Sequence, residues 1–203
     1  MALLRVSDGR VFTAIEDINA IVKPMEIGRF PFDDALRARV DALPQPLSPE
    51  NAKLIVGSLD SSVRERLDSE GYVSWRVGNV LSKGEEGFAF HQHFEGGETG
   101  GGQKSPEQIK DYLTPHHVLV NDIHFVFTGA IIKGVQLENG LQAVCYVEAG
   151  EWIRLGPTIL NWPIFPSGKA ITGLSFFDQK AGPDQTWKMD LHPEVKVDPT
   201  MLF

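Results

Sequence analysis

The chain has 203 residues, of which 42% are hydrophobic, so it can bury one sizeable core and we expect a single domain. Its formal net charge of −8 argues against nucleic acids and anionic membrane surfaces as partners. No apolar run approaches the roughly 20 residues of a membrane span, and the first residues lack signal-peptide features, so we expect a cytoplasmic protein. The only cysteine, Cys145, excludes a disulfide framework and is expected to be a buried small hydrophobe.

Residues 1–70 are predicted to form a helical elaboration before the main domain. A capping-box pattern at residues 13–16 predicts a helix over 15–23. Ser48 followed by Pro49 is typical of a second helix start, with an expected span of 48–67.

Strand-like runs follow at 72–81 and 88–93. The next segment, 95–104, is rich in glycine, which loses the most entropy on ordering, so we predict irregular structure there. We also expect this segment to be mobile and to close over a bound ligand. A third helix is predicted over 105–113, where Ser105 precedes a proline.

The part from His116 to Phe177 contains short strand candidates separated by turn signals at near-regular spacing, a pattern typical of a sandwich or barrel. These candidates are 122–128, 130–136, 141–147, 152–155, 161–165 and 170–177. We therefore predict a mainly-β protein, with an antiparallel barrel over residues 72–177, helices packed outside it and a C-terminal tail over 178–203.

One strand of this barrel carries candidate chemistry. Residues alternate between the two faces of a strand, so Asp122 and His124 share one face. If that face looks into the barrel, a carboxylate and an imidazole project side by side into a cavity, with His116 close by in sequence. Such a pair suits metal ligation or acid–base catalysis.

The chain resembles, in the same order along its length, the acireductone dioxygenase family of cupins. The similar segments are Gly71 to Trp75, the helix at 105–113, Asp122 to Gly129, Ala149 to Pro157, Asn161 with Trp162, and Ile171 to Asp178. The resemblance implies a cupin barrel, also called a double-stranded β-helix or jelly roll.

The family holds one Fe or Ni ion with three histidines and one glutamate. Carried over by resemblance, these ligands fall on His116, Val118, Asp122 and Asn161, and a family arginine falls on His124. Valine cannot ligate a metal and asparagine is a weak oxygen donor, so the resemblance implies a degenerate or rebuilt site.

Three interpretations of the site remain open. In the first, His116, Asp122 and His124 bind Fe²⁺ or Ni²⁺, while Asn161 and Trp162 contact substrate. In the second, the ligands are His91, His93 and Glu98, which have a general cupin spacing. In the third there is no metal, and the cluster of the first interpretation works as general acid and base.

The resemblance implies an oxidoreductase-like enzyme acting on a small enol or enediol metabolite with altered chemistry. The alternatives are a metal-independent cupin lyase, isomerase or cyclase of specialised metabolism, and a non-catalytic cupin that binds a ligand. In each case the expected partner is a small molecule. The sequence leaves the oligomeric state open.

Overall fold

The protein is described here from a computed structural model, whose described residues are 1–82, 88–105, 107, 110–165, 170–180, 182 and 189–201. The helices in these ranges are α1 (Ile15–Ile21), α2 (Asp34–Asp41), α3 (Pro49–Ser58), α4 (Ser61–Ser69) and α5 (Lys110–Leu113). The first strands are β1 (Leu3–Val6), β2 (Val11–Phe12), β3 (Glu26–Arg29), β4 (Ser74–Ser82), β5 (Phe88–Phe94), β6 (Thr99–Lys104) and β7 (His116–Val118). The remaining strands are β8 (Asp122–Thr128), β9 (Ala130–Gln136), β10 (Gln142–Glu148), β11 (Glu151–Leu155), β12 (Asn161–Ile164), β13 (Ala170–Phe177) and β14 (Met189–Leu191).

The strands form two seven-stranded antiparallel sheets. The first sheet has the order β14-β7-β12-β9-β10-β1-β2, and the second has the order β3-β11-β8-β13-β4-β5-β6. The mainly-β antiparallel architecture predicted from the alternating runs is confirmed. Within the described ranges, no helix is long and apolar enough to cross a membrane.

Two large apolar clusters hold the fold together. One unites strands of both sheets around Val126, Cys145 and Ile153, with α1 packed against them through Ile18. Cys145 is fully buried, as predicted. The other cluster packs α3 and α4 against the second sheet, where Ile55 and other apolar helix residues cover Phe125 and its neighbours. The predicted position of these helices outside the barrel is confirmed.

The N-terminal part also supplies strands, so the sheets extend beyond the residues 72–177 predicted for the barrel. β1 pairs with β10 in the first sheet, and β3 pairs with β11 in the second. The single helix expected over 48–67 is two helices, because Asp60 begins a new one. Its carboxylate accepts a hydrogen bond from the backbone N–H of Ser62 at 2.8 Å.

The glycine-rich segment differs from its prediction. Residues 99–104 form β6, a strand that pairs with β5 along the edge of the second sheet. A Cβ at Gly101 would lie 2.9 Å from Nδ1 of His91 and 3.0 Å from the carbonyl oxygen of Phe90, so glycine permits close pairing here. The hydrogen bonds between β5 and β6 thus offset the conformational entropy that the glycines lose on ordering. That entropy loss was the reason for predicting irregular structure. Movement of this segment on ligand binding stays a prediction.

The C-terminal residues also add to a sheet, since β14 pairs with β7. The helix predicted over 105–113 is present at Lys110–Leu113, and positions 106, 108 and 109 lie outside the described residues.

Candidate functional site

A cavity of about 500 Å³ lies between the two sheets. Its wall is largely apolar, with aromatic side chains such as Phe88 and Phe90 on one side. Polar side chains are few and reach it from several strands. They include Arg76, Lys104, His116, Asp122, His124 and Lys133. A cavity of this size that mixes apolar walls with a few polar groups is typical of a site for a small molecule.

Asp122 and His124 lie side by side in this cavity, as the strand alternation predicted. Nε2 of His124 is 2.8 Å from Oδ2 of Asp122, and Nδ1 of His124 is 2.6 Å from Oγ of Ser175. The pairing of β8 with β13 sets Ser175 directly opposite His124, which explains the second contact. The three residues form one hydrogen-bonded chain.

The carboxylate of Asp122 determines which atoms carry the protons in this row of hydrogen bonds. An ionised Asp122 only accepts hydrogen bonds, so Nε2 of His124 carries the proton that it donates to Oδ2. In neutral His124, Nδ1 then accepts a hydrogen bond from the hydroxyl of Ser175. The other carboxylate oxygen, Oδ1, is buried and has no hydrogen-bond partner among the described residues. Asp122 itself lines the cavity, and a buried acceptor that the described residues leave unpaired calls for a partner.

His116 enters the cavity from β7 and is fully buried. Its Nδ1 is 2.6 Å from the carbonyl oxygen of Thr114, to which it donates. Burial lowers the pKa of His116 to about 4, against the opposing hydrogen bond to Thr114, and the Lys133 ammonium lowers it further. His116 is therefore neutral at pH 7.

Lys133 and Asn161 meet beside the cavity, at the position to which the resemblance assigned the last metal ligand. Lys133 is 8% exposed and donates a hydrogen bond from Nζ to Oδ1 of Asn161 at 3.1 Å. The amide nitrogen of Asn161 donates to the carbonyl oxygens of His116 and Ile159, at 3.3 and 3.2 Å. Asn161 is thus engaged on both sides of its amide.

The two residues expected to contact substrate do not line the cavity. Asn161 is fully buried and approaches the cavity through its bond to Lys133. Trp162 is 2% exposed and packs in an apolar cluster with Ile132 and Val144. Their neighbours on β12, Pro163 and Ile164, face the cavity instead.

The alternative ligands on β5 point away from the cavity. Phe90 and Gln92 line it, which places His91 and His93 on the opposite face of the strand. Nε2 of His93 is 2.6 Å from the carbonyl oxygen of Leu47, and its Nδ1 is 3.0 Å from Oγ1 of Thr99. A neutral His93 donates to the first and accepts from the second, so neither ring nitrogen keeps a lone pair for a metal. Glu98 is exposed, and its carboxylate does not form a ligand group with the two histidines.

A metal ion at the four family positions does not fit the donors found here. Val118 has no ligand atom, the amide oxygen of Asn161 accepts from Lys133, and that ammonium adds a positive charge beside His116. Two donors, on His116 and Asp122, fall short of the three or four protein ligands that transition-metal sites use.

A group of side chains with ligand atoms close enough to bind one metal ion lies outside the cavity. Three histidine or carboxylate side chains bring their ligand atoms within 4.8 Å of one another at one place in the described chain, formed by His117, Asp190 and His192. His116, Asp122 and His124 line the same cavity but do not make such a group.

Lys133 and Ser175 are among the cavity residues that were not singled out from the sequence. Lys133 is a lone charge in the apolar run of β9, and that pattern is a usable signal for a buried functional cation. Ser175 lies in β13, and its role depends on pairing with a strand far away in sequence.

No protein-family model matches this chain, and no curated protein matches it either. Among solved structures, an acireductone dioxygenase from Bacillus anthracis with a cadmium ion in its active centre has a similar fold, with a TM-score of 0.62 and 12% sequence identity. The match covers 88% of this chain and 94% of that one. The expected cupin-like fold is confirmed, and at this identity the likeness is one of fold.

Proposed function

We propose that this protein is a cupin enzyme that moves a proton on a small, anionic, enolisable metabolite without a metal in its cavity, as an isomerase or lyase does. The observation that carries the proposal is the carboxylate of Asp122. One of its oxygens is held by His124, and the other is buried with no hydrogen-bond partner among the described residues, while the residue itself lines the cavity. A carboxylate oriented in this way is suited to accept a proton from a bound substrate.

His124 and Ser175 hold the carboxylate of Asp122 in place through a row of hydrogen bonds. The Asp122–His124 contact is 2.8 Å and the His124–Ser175 contact is 2.6 Å, so the chain of three fixes the carboxylate in one orientation. When Asp122 takes a proton, the loss of its charge is accommodated within a connected network rather than by a single pair.

Positive charge in the cavity indicates the substrate class. Arg76, Lys104 and Lys133 line it, against the carboxylates of Asp111 and Asp122. The bond to Asn161 uses one of the three N–H donors of Lys133, an ammonium held in a largely apolar wall. An ammonium in that position stabilises the negative oxygen that forms when a proton leaves the carbon next to a carbonyl. A small keto or enol carboxylate has both the negative charge that these cations attract and the oxygen that the ammonium of Lys133 would stabilise.

The test is solvent proton exchange in the presence of EDTA. A panel of small 2-keto, 3-keto and enol carboxylic acids is incubated with the enzyme in D₂O, and deuterium incorporation is followed by NMR. Wild-type protein should exchange at least one panel member, and Asp122→Asn should slow this exchange by on the order of 10²- to 10⁴-fold.

Two controls decide between the open interpretations. His91→Gln lies on the outer face of β5 and should leave the rate unchanged. Turnover that vanishes in EDTA and returns with Fe²⁺ or Ni²⁺ would favour the metal-dependent dioxygenase-like interpretation. Binding of panel members without exchange would favour a ligand-binding cupin.

A further inference from the structure

A second cluster of chemistry-bearing side chains lies outside the cavity, on the outer side of β7. His116 points into the cavity and its neighbour His117 is half-buried on the opposite face of the strand. The pairing of β14 with β7 sets Asp190 directly opposite His117. The backbone N–H of His192 then bonds to the carbonyl oxygen of Pro115 at 2.8 Å, which holds His192 beside them.

The ligand atoms of His117, Asp190 and His192 all lie within 4.8 Å of one another. The two imidazole rings are 4.8 Å apart and nearly perpendicular, at 72°. Nε2 of His192 is 3.6 Å from Oδ2 of Asp190, which is too long for a hydrogen bond. A metal ion held between the three atoms needs only small side-chain movements, because Zn–N and Zn–O bonds are about 2.0–2.2 Å long.

A fourth residue prepares His192 as a ligand. Its Nδ1 is 2.8 Å from Oε1 of Glu194, so the carboxylate holds the ring proton on that nitrogen. This leaves the lone pair on Nε2, which is buried, faces the cluster and has no hydrogen-bond partner among the described residues. Carboxylate–histidine–metal arrangements use the same relation to fix the tautomer and to raise the basicity of the ligand.

We propose that His117, Asp190 and His192 bind a divalent transition cation of the zinc type, with solvent as the fourth ligand and Glu194 orienting His192. Two nitrogen donors and one carboxylate oxygen match the ligand preference of Zn²⁺. The site is separate from the barrel cavity, where the donors do not fit a metal.

The ion would add a link between two short strands that already pair with each other. β14 has three residues and, in the part of the chain that the structure describes, pairs only with β7, at the edge of the first sheet. Two ligands come from β14 and the residue after it, and one comes from β7. The bound ion therefore fixes β14 to the strand whose other face presents His116 and Val118 to the cavity. Its expected role is structural.

The experiment is Zn²⁺ titration by calorimetry, with protein that carries no polyhistidine tag and has been stripped with EDTA. Wild-type protein should bind one Zn²⁺ per chain, and Zn²⁺ should raise its Tm. Co²⁺ in place of Zn²⁺ should give the visible absorption of a tetrahedral site with nitrogen and oxygen ligands.

His192→Gln and Asp190→Asn should each abolish the binding, and Glu194→Gln should weaken it by roughly 10- to 100-fold. These positions are at least partly exposed, so the variants should fold, and circular dichroism checks this. His91→Gln is the matched control, because His91 also forms a close pair with another histidine, their rings 4.8 Å apart. Full binding in the ligand variants, no binding by the wild type, or a loss of binding confined to the control would each overturn the proposal.

Discussion

Lys133 and Asn161 form a buried hydrogen bond, 3.1 Å from Nζ to Oδ1, beside the imidazole of His116. The ammonium is one reason why the pKa of His116 lies below its ordinary value, after burial itself. The amide oxygen of Asn161 is thereby engaged by the ammonium of Lys133. The pair thus links the charge of the cavity to the protonation of a neighbouring histidine.

Replacing Lys133 by methionine removes the charge and keeps a side chain of similar length. Lys133→Met should raise the pKa of His116 above about 4, because a repulsive cation is lost, while burial keeps it below the ordinary 6.5. Titration of the ring signals of His116 by NMR measures this directly. Lys104→Met, which removes another cation of the cavity, should give a smaller change.

His116 should make the protein less stable in acid. Its pKa is about 4 in the folded state and near 6.5 when exposed, so the unfolded chain binds more protons between these values. The free energy of unfolding should therefore fall as the pH drops from about 6.5 to about 4, by up to about 3 kcal/mol from this group. Urea unfolding in EDTA at several pH values measures it, and His116→Gln should flatten the dependence in this window.

His93 should be a structural residue. It is 3% exposed, and both ring nitrogens are hydrogen-bonded, one of them to the carbonyl oxygen of Leu47. His93→Ala should lower the free energy of unfolding by about 2–4 kcal/mol, because it leaves a cavity and an unsatisfied carbonyl. His91→Ala, on the same face but more exposed, should change it by less than about 1 kcal/mol. Equal effects of the two variants would contradict this interpretation of the pair.

Gly134 should not tolerate a side chain. A Cβ at this position would lie 1.9 Å from Cε2 of Trp162, whose ring packs across β9. Gly134→Ala should destabilise the protein by about 1–3 kcal/mol or more, because the indole must move out of a packed core. Gly78→Ala is the matched control, since nothing lies within 4 Å of a Cβ there. Thermal unfolding of both variants separates overpacking from the general effect of replacing a strand glycine.

The features that depend on a local pattern of residues were predicted correctly from the sequence. Alternation along residues 122–128 placed Asp122 and His124 on one face, and the structure has both at the cavity. The cap signal at Ser48 is confirmed, because its hydroxyl accepts a hydrogen bond from the backbone N–H of Asn51; α1 begins at Ile15 as predicted, although its cap residue is Ala14, without a side-chain cap. These features depend on a few neighbouring residues, whose periodicity and side-chain chemistry can be examined without knowing the fold.

Features that depend on pairing between distant segments were harder to predict. Ser175 becomes part of the site only because β13 pairs with β8 in one register. The glycines of β6 form a strand because β5 offers its edge, which composition does not show. In the same way, Asp190 meets His117 only through the pairing of β14 with β7. Register between remote strands is a property of the whole sheet and not of any segment.

The position of β13 has a consequence for how the chain is made. In the second sheet, β13 separates the half formed by β3, β11 and β8 from the half formed by β4, β5 and β6. During translation, the residues of both half-sheets are made before Ala170–Phe177, and the facing edges of β8 and β4 lack a partner until this strand joins them. Open strand edges readily pair with other chains. A chain truncated before residue 170 should therefore aggregate or recruit chaperones, and a chain that extends through this one strand should not.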